Sequence, residues 1–310
     1  MRVVVSGSSG LVGTAVREQL AAEGHEAQPL LRGDAEGSGP RWIAPSGGEA
    51  GWIAPNALAG ADAVVHLAGA SIGEGRWTER RRAALRASRI DATRLLVDHL
   101  GTLVERPRVL VAASAVGAYG DRGDELLTED APLGSGFLAE LVRDWEREVM
   151  RAEALGVRVV RLRFGVVLAA HSGALPRMVT PMKLGVGGRL GSGRQWMPWV
   201  ALPDVARAIS WALTEPVSGV VNVVAPEQVT NAEFTRALGR VLHRPALFPA
   251  PAFALRLLLG GAADELLLAS QRVVPARLLA AGFQFAQPSV DGALRAIFTP
   301  RPAAGEPRAA

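Results

Sequence analysis

Three glycines near the start of the chain, Gly7, Gly10 and Gly13, are spaced three residues apart between two unlike stretches. Before them runs Val3-Val4-Val5, a β-branched run of the kind a buried parallel strand requires. After them Leu11, Val12, Ala15, Val16, Leu20 and Ala21 follow an apolar helical pattern. Strand, glycine turn and helix, in that order, can hold the pyrophosphate of a dinucleotide. Gly7 permits the tight turn, Gly10 lets the backbone approach the phosphates, and Gly13 lets the helix pack close on the strand. The first N–H groups of a helix have no partner within it and carry partial positive charge. Gly7, Ser9, Gly10, Leu11 and Val12 are therefore the candidate phosphate binders.

Two further positions carry chemistry. The next expected strand, residues 26–31, runs into Arg32, with no acid at its end to hold a ribose 2′-hydroxyl. A guanidinium there suits the extra 2′-phosphate of NADP(H), through charge-assisted bonds and stacking on adenine. Farther along, Ser114 and Tyr119 follow an apolar strand over residues 108–113. A hydroxyl and a phenol at the carboxyl end of a strand stand where open α/β sheets place ligands, and either could take part in moving a proton.

These residues need a scaffold, and the remaining pattern supplies one. Apolar runs at residues 63–67, 108–113, 157–168 and 219–224 alternate with helical patterns at 77–100, 204–213 and 231–242. The alternation predicts an α/β fold, a Rossmann-like doubly wound parallel sheet with helices on both faces. Residues 1–168 form its nucleotide-binding domain, with strand 219–224 returning to the sheet. Residues 169–299 form a smaller, mainly helical substrate domain, and 300–310 read as a disordered tail. The tetrapeptide WIAP occurs at Trp42–Pro45 and again at Trp52–Pro55, and a third strand is expected in or near one copy. Asp204 opens a helix as a first-turn or cap carboxylate.

Composition narrows the classes. The 310 residues include 49% hydrophobic and 21% charged side chains, as in a globular protein. Absence of cysteine excludes disulfides, thiolate chemistry and Cys-based zinc sites, and the five histidines lack metal-ligand spacing. His66 reads as a packed strand histidine. Net charge is +4, and of the 34 Lys and Arg residues only Lys183 is a lysine. Arg82, Arg86 and Arg89 fall at i, i+4 and i+7, the spacing of a solvated helix face, without the aromatic platforms of a nucleic-acid site. The apolar stretch from Leu247 to Leu268 is interrupted by Arg256, Asp264 and Glu265, which makes it a poor membrane span and a good buried helical segment. No secretion signal is evident, so the cytoplasm is the expected location. The expected partner is a small-molecule substrate, with no nucleic acid and no membrane, and the chain is expected to be a monomer or homodimer.

The GxxGxxG spacing, preceded by Ser6, resembles the opening turn of the extended short-chain dehydrogenase/reductases. The run Ser114-Ala115-Val116-Gly117-Ala118-Tyr119-Gly120 narrows the likeness, as do Trp145-Glu146, the stretch Arg163 to Leu168 and the stretch Gly191 to Trp199. With Asn231 to Phe234, Gln271 to Pro275 and Ala281 to Phe283, they make the chain similar to an atypical, epimerase-like group of that class carrying a C-terminal DUF1731 segment. The resemblance covers residues 1–297, nearly the whole chain. It implies that Leu67, Ala68, Arg89 and Val167 join the cofactor site, and that Ser114 and Tyr119 are catalytic. Relatives in the wider class also use a YxxxK pair on one helix face, in which the Lys lowers the Tyr pKa. No such pair exists here: Tyr119 is the only tyrosine, residue 123 is glycine, and Lys183 is far away. The helix that should carry the pair begins at Phe137 and has no phenol. Tyr119, tuned by an arginine such as Arg163, could supply the proton; so could Glu140 or Asp144. Gly185 to Gly193, with Gln195, Trp196 and Trp199, would form a flexible substrate wall with aromatic anchors. The implied activity is an NADP(H)-dependent reduction of a small carbonyl or enone. The alternative is a catalytically inactive NADP(H)-binding regulatory or interaction protein.

Overall fold

The computed structural model describes residues 1–33, 39–45 and 50–299. Strand β1 (Arg2–Ser6) lies inside an eight-stranded sheet, with Val3, Val4 and Val5 wholly buried. On one side of it run β2 (Glu26–Arg32) and β3 (Arg41–Ile43), both parallel, and then β4 (Trp52–Ile53), antiparallel to β3. The two WIAP copies therefore supply both of these short strands, with Trp42 paired to Ile53. On the other side β5 (Ala63–His66) and β6 (Val109–Ala115) continue the parallel sheet. Beyond them come β8 (Arg158–Phe164) and β11 (Gly219–Val223), also parallel. Three short strands lie off the sheet before the last of these: β7 (Leu126–Leu127), β9 (Val166–Leu168) and β10 (Trp199–Ala201).

Alternation along the strands assigns the two faces. Val3, Val5, Val65, Val111 and Val160 pack against Val16 and Leu20 of α1 (Leu11–Ala22) and against Val205 and Ile209 of a later helix. Val4, Val64, Leu110 and Val159 point the other way. The expected helix over 77–100 begins instead at Glu79, capped by the Thr78 hydroxyl, and breaks into α2 (Glu79–Arg86) and α3 (Ala92–Thr102) around a π-helical turn at Ala87–Asp91. Leu96 and Val97 of α3, and Trp145 and Val149 of α4 (Phe137–Met150), complete the second face. The π turn adds a residue and rotates α3 relative to α2. Arg82 and Arg86 lie 5.1 and 5.6 Å from the centre of the Phe137 ring, whereas Arg89 lies 5.4 Å from that of Trp145. The expected solvated arginine face is thus divided, and it packs on α4.

The smaller part contains α5 (Leu175–Lys183) and β10 (Trp199–Ala201), which pairs with β9. It also holds α7 (Asn231–Leu242), closed by a Thr230–Glu233 capping box, and α8 (Ala252–Leu259). Between β10 and α7 the chain returns to the sheet through α6 (Leu202–Thr214) and β11. Asp204 in the first turn of α6 is fully buried and accepts hydrogen bonds from the N–H groups of Ala286 (2.6 Å) and Gln287 (2.9 Å), tying the C-terminal segment to the sheet-facing helix. After the short α9 (Gly261–Ala263), β12 (Arg272–Val273) pairs with β7, and α10 (Ala276–Ala280) and α11 (Val290–Phe298) complete the described chain.

One expectation holds only in part. The Leu247–Leu268 stretch is buried only in part: Ala262 and Ala263 are buried, but α8 has no buried residue, and Phe253 and Leu257 are 71% and 76% exposed. Leu259 leans on the cluster of Trp77, Leu85 and Phe137, while the Phe253, Leu257 and Leu258 side chains stay exposed among the described residues. No described helix is long and apolar enough to cross a membrane. The expected disordered tail, 300–310, lies outside the described residues.

Candidate cofactor and substrate site

The strand order reverses between β1 and β5, the place where doubly wound sheets leave a crevice at their carboxyl ends. Gly7 turns there with φ +68°, and a Cβ on it would lie 2.8 Å from the backbone of Leu67 and Ala68. A Cβ on Gly13 would lie 2.2 Å from the Gly7 carbonyl oxygen. Gly10 caps α1 with extended backbone, and no side chain takes the helix's first N–H groups. Ser9 and Gly10 are exposed. A backbone cradle shaped by absent side chains, opening on an uncapped helix end, fits a pyrophosphate.

Other candidates gather around it. A Cβ on Gly173 would lie 3.3 Å from the Leu11 side chain and 3.7 Å from the Val167 carbonyl oxygen, so Val167 stands beside the first turn of α1. Arg89 lies against Gly69 and donates to the Ala70 carbonyl oxygen (3.0 Å). Burial, with Arg81 nearby, pulls its pKa down to about 10, so it remains charged near neutrality. Arg32 is exposed at the carboxyl end of β2. His66 is packed as expected. Its Nδ1 meets the Ser6 hydroxyl at 2.7 Å and its Nε2 meets the Thr93 hydroxyl at 3.0 Å, and burial lowers its pKa to about 4.

The hydroxyl pair behaves differently. Ser114 ends β6, is nearly buried, and donates to Glu146 Oε1 at 2.5 Å. Glu146, also buried, accepts from Arg163 Nε and Nη2, both at 2.8 Å, and from Arg161 Nη1 at 3.3 Å. Tyr119 is packed into the core. It is 0% exposed, donates to Asn222 Oδ1 at 2.7 Å, and lies with its ring 4.9 Å from the Arg163 guanidinium carbon. Burial raises its pKa, although Arg163 pulls part of the way back. The one phenol hydrogen is thus committed to Asn222, and donating it elsewhere would require that bond to break. Glu140 and Asp144 do not face the site: both pair with Arg86 of α2, at 3.4 and 2.8 Å.

A cavity of about 280 Å³ opens past the turn after Ser114, lined by Gly117, Gly120, Gly136, Leu138, Glu265 and Gln271 among others. Glu265 comes from the C-terminal part. Its carboxylate accepts the Phe137 and Leu138 N–H groups at 3.0 and 2.7 Å, capping α4 where the phenol of a YxxxK pair would begin. The polar and aromatic groups of the expected wall are engaged in internal contacts, one of which, Trp196 to Asp124, joins the smaller part to the rest of the chain. Gln195 donates to the carbonyls of Leu190 (3.1 Å) and Leu267 (2.9 Å), Trp199 is buried, and Trp196 stacks under Arg272 and donates to Asp124. Sequence reasoning passed over Glu146 and Glu265. The first had a local signal, a carboxylate set in the apolar stripe of Leu141, Val142, Trp145 and Val149. The second had none, since its partners are more than a hundred residues away.

Residues 3–225 match the model of the NAD dependent epimerase/dehydratase family, and residues 250–297 match a domain of unknown function, DUF1731. An epimerase family protein of Mycobacterium bovis, Mb2239, is 42% identical over 296 residues, covering 94% of this chain and 96% of that protein. The crystal structure of human epimerase family protein SDR39U1 (isoform 2) with NADPH superposes with a TM-score of 0.85 at 35% identity, over 96% of this chain and 99% of that one. A nucleoside-diphosphate sugar epimerase from Corynebacterium glutamicum gives a TM-score of 0.75 at 33% identity, over 96% of this chain and 58% of that one.

Proposed function

Since the chain belongs to the NAD dependent epimerase/dehydratase family, we propose that it binds NADP(H) in the β1–β5 crevice and reduces a small carbonyl or enone compound there. In this reading Gly7, Ser9, Gly10, Leu11 and Val12 cradle the pyrophosphate. Arg32 takes the 2′-phosphate, and Leu67, Ala68, Arg89 and Val167 form the rest of the cofactor wall. The observation that carries it is the joint one of a glycine cradle at the switch point and an exposed guanidinium, not an acid, ending β2. The NADPH bound to the 35%-identical human relative supports it.

When bound, NADPH would supply a hydride. The chain's own residues then have limited means to handle the proton. Ser114 has one hydroxyl hydrogen, and Glu146 holds it. Toward the site Ser114 therefore offers lone pairs, and it orients a hydroxyl or amide N–H of the ligand. Tyr119 braces Arg163 and Asn222 behind that wall. With no phenol–lysine pair, the proton that completes a reduction reaches the site from water in the adjoining cavity, which makes the enzyme slow.

The test is loss of reduced-nicotinamide absorbance when the purified protein meets NADPH and a panel of small ketones and enones. Slow, NADPH-dependent turnover that falls in Ser114→Ala supports a reductase. Tight NADPH binding without turnover on any of them supports the second reading, an NADP(H)-binding regulatory or interaction protein. That reading is favoured by Phe137 and Leu141, two buried apolar side chains at the i, i+4 spacing a Tyr–Lys pair would need.

A further inference from the structure

Two segments of the smaller part run side by side on the outside of the molecule. Backbone bonds join Phe248 N to the Gly187 carbonyl (3.2 Å), Ala250 N to Arg189 (2.9 Å) and Gly191 N to Ala250 (2.8 Å). Several of the side chains they carry outward are apolar: Leu184 and Val186 from the first segment, and Leu247 and Phe248 from the second, are all exposed. The second segment leads directly into α8, whose Phe253 and Leu257, at i and i+4, share one helix face; these and the neighbouring Leu258 are likewise exposed. Large exposed apolar side chains gathered in this way mark a surface meant to be covered.

Charge indicates what covers it. Residues 154–203 contain no aspartate or glutamate, and neither do residues 234–263. Lys183, Arg189 and Arg244 are exposed within these segments, and none pairs with a carboxylate among the described residues. Arg256 on α8 is neutralised by Asp264 at 2.8 Å. A second copy of the same cationic face would repel it, and a nucleic acid would not need seven outward aliphatic and phenyl side chains. A layer that is anionic at its surface and apolar just beneath matches both features: apolar side chains enter the acyl boundary while cations meet the headgroups.

We propose that this face docks peripherally on anionic lipid bilayers, with α8 lying in the plane of the interface. The attachment is independent of cofactor binding and spans nothing. Arg256 of α8 also lines the cavity beside Glu265, so docking would bring the mouth of that cavity to the membrane.

Co-sedimentation of the full chain with phosphatidylcholine vesicles, with and without phosphatidylglycerol, tests this. The protein should sediment with the anionic vesicles, much less with the neutral ones, and less as salt rises. The double variant Leu257→Glu, Leu258→Glu should lower the bound fraction by about tenfold or more, the scale of losing one fully buried leucine from an apolar phase. Its thermal midpoint should stay put, because α8 buries no residue. Absence of sedimentation with anionic vesicles overturns the proposal, as does a double variant that binds as well as the original chain. A protein that is dimeric by light scattering, becomes monomeric in the double variant and ignores vesicles also overturns it, and assigns the face to a second copy.

Discussion

At the scale of single residues, the site is governed by one buried carboxylate. Glu146 accepts a hydrogen bond from the Ser114 hydroxyl and a two-point contact from Arg163, and Arg163 in turn lies over Tyr119. Removing one partner of such a pair leaves a charge stranded in the core. Glu146→Ala should cost about 3–5 kcal/mol of stability, measurable by denaturant titration. Tyr119→Phe removes a single buried hydrogen bond and should cost about 1–2 kcal/mol while leaving NADPH affinity nearly unchanged. A variant that kept its stability but lost turnover a hundredfold would restore Tyr119 as the proton donor. His66 gives a pH signature. Its pKa falls from 6.5 to about 4 on folding, so below 6.5 the unfolded chain binds a proton the native chain refuses. Stability is therefore intact above pH 6.5 and declines as pH drops toward 4, by up to about 3 kcal/mol from this group. His66→Asn, if it folds, should flatten that part of the profile.

At the scale of elements, what the sequence made legible was local. The glycine turn declares itself because strand, turn and helix are contiguous, and Gly7 and Gly13 answer a dihedral and a clash that can be foreseen. Gly13→Val places carbon against the Gly7 carbonyl, where even a Cβ would stand at 2.2 Å. It should lower the melting temperature and abolish nucleotide binding together, whereas Gly10→Ala, whose Cβ meets only the Gly7 oxygen at 3.2 Å, should leave the fold intact. The helix over 79–102 was legible as a helix but not as one with a π turn, because the extra residue is fixed by where Arg89 must reach over Trp145 and beside Gly69. The surroundings of Tyr119 are hidden for a similar reason: its place at a strand end is visible in the sequence, but Asn222, which holds its hydroxyl, is 103 residues later.

At the scale of the whole molecule, the C-terminal part completes what the sheet begins. Glu265 caps α4, Asp204 anchors residues 286 and 287, and Gln195 spans from Leu190 to Leu267. None of these long-range ties has a periodicity or a motif. The functional reading rests on one claim, that the crevice between β1 and β5 selects NADP(H) through Arg32. Titration of the unmutated chain and of Arg32→Ala with NADPH and with NADH tests it most directly. The unmutated chain should prefer NADPH by about 1.5–3 kcal/mol, the range for a hydrogen bond to a charged group, and Arg32→Ala should erase most of that preference. Equal affinities for the two cofactors in the unmutated chain, or a preference that survives in Arg32→Ala, would contradict it.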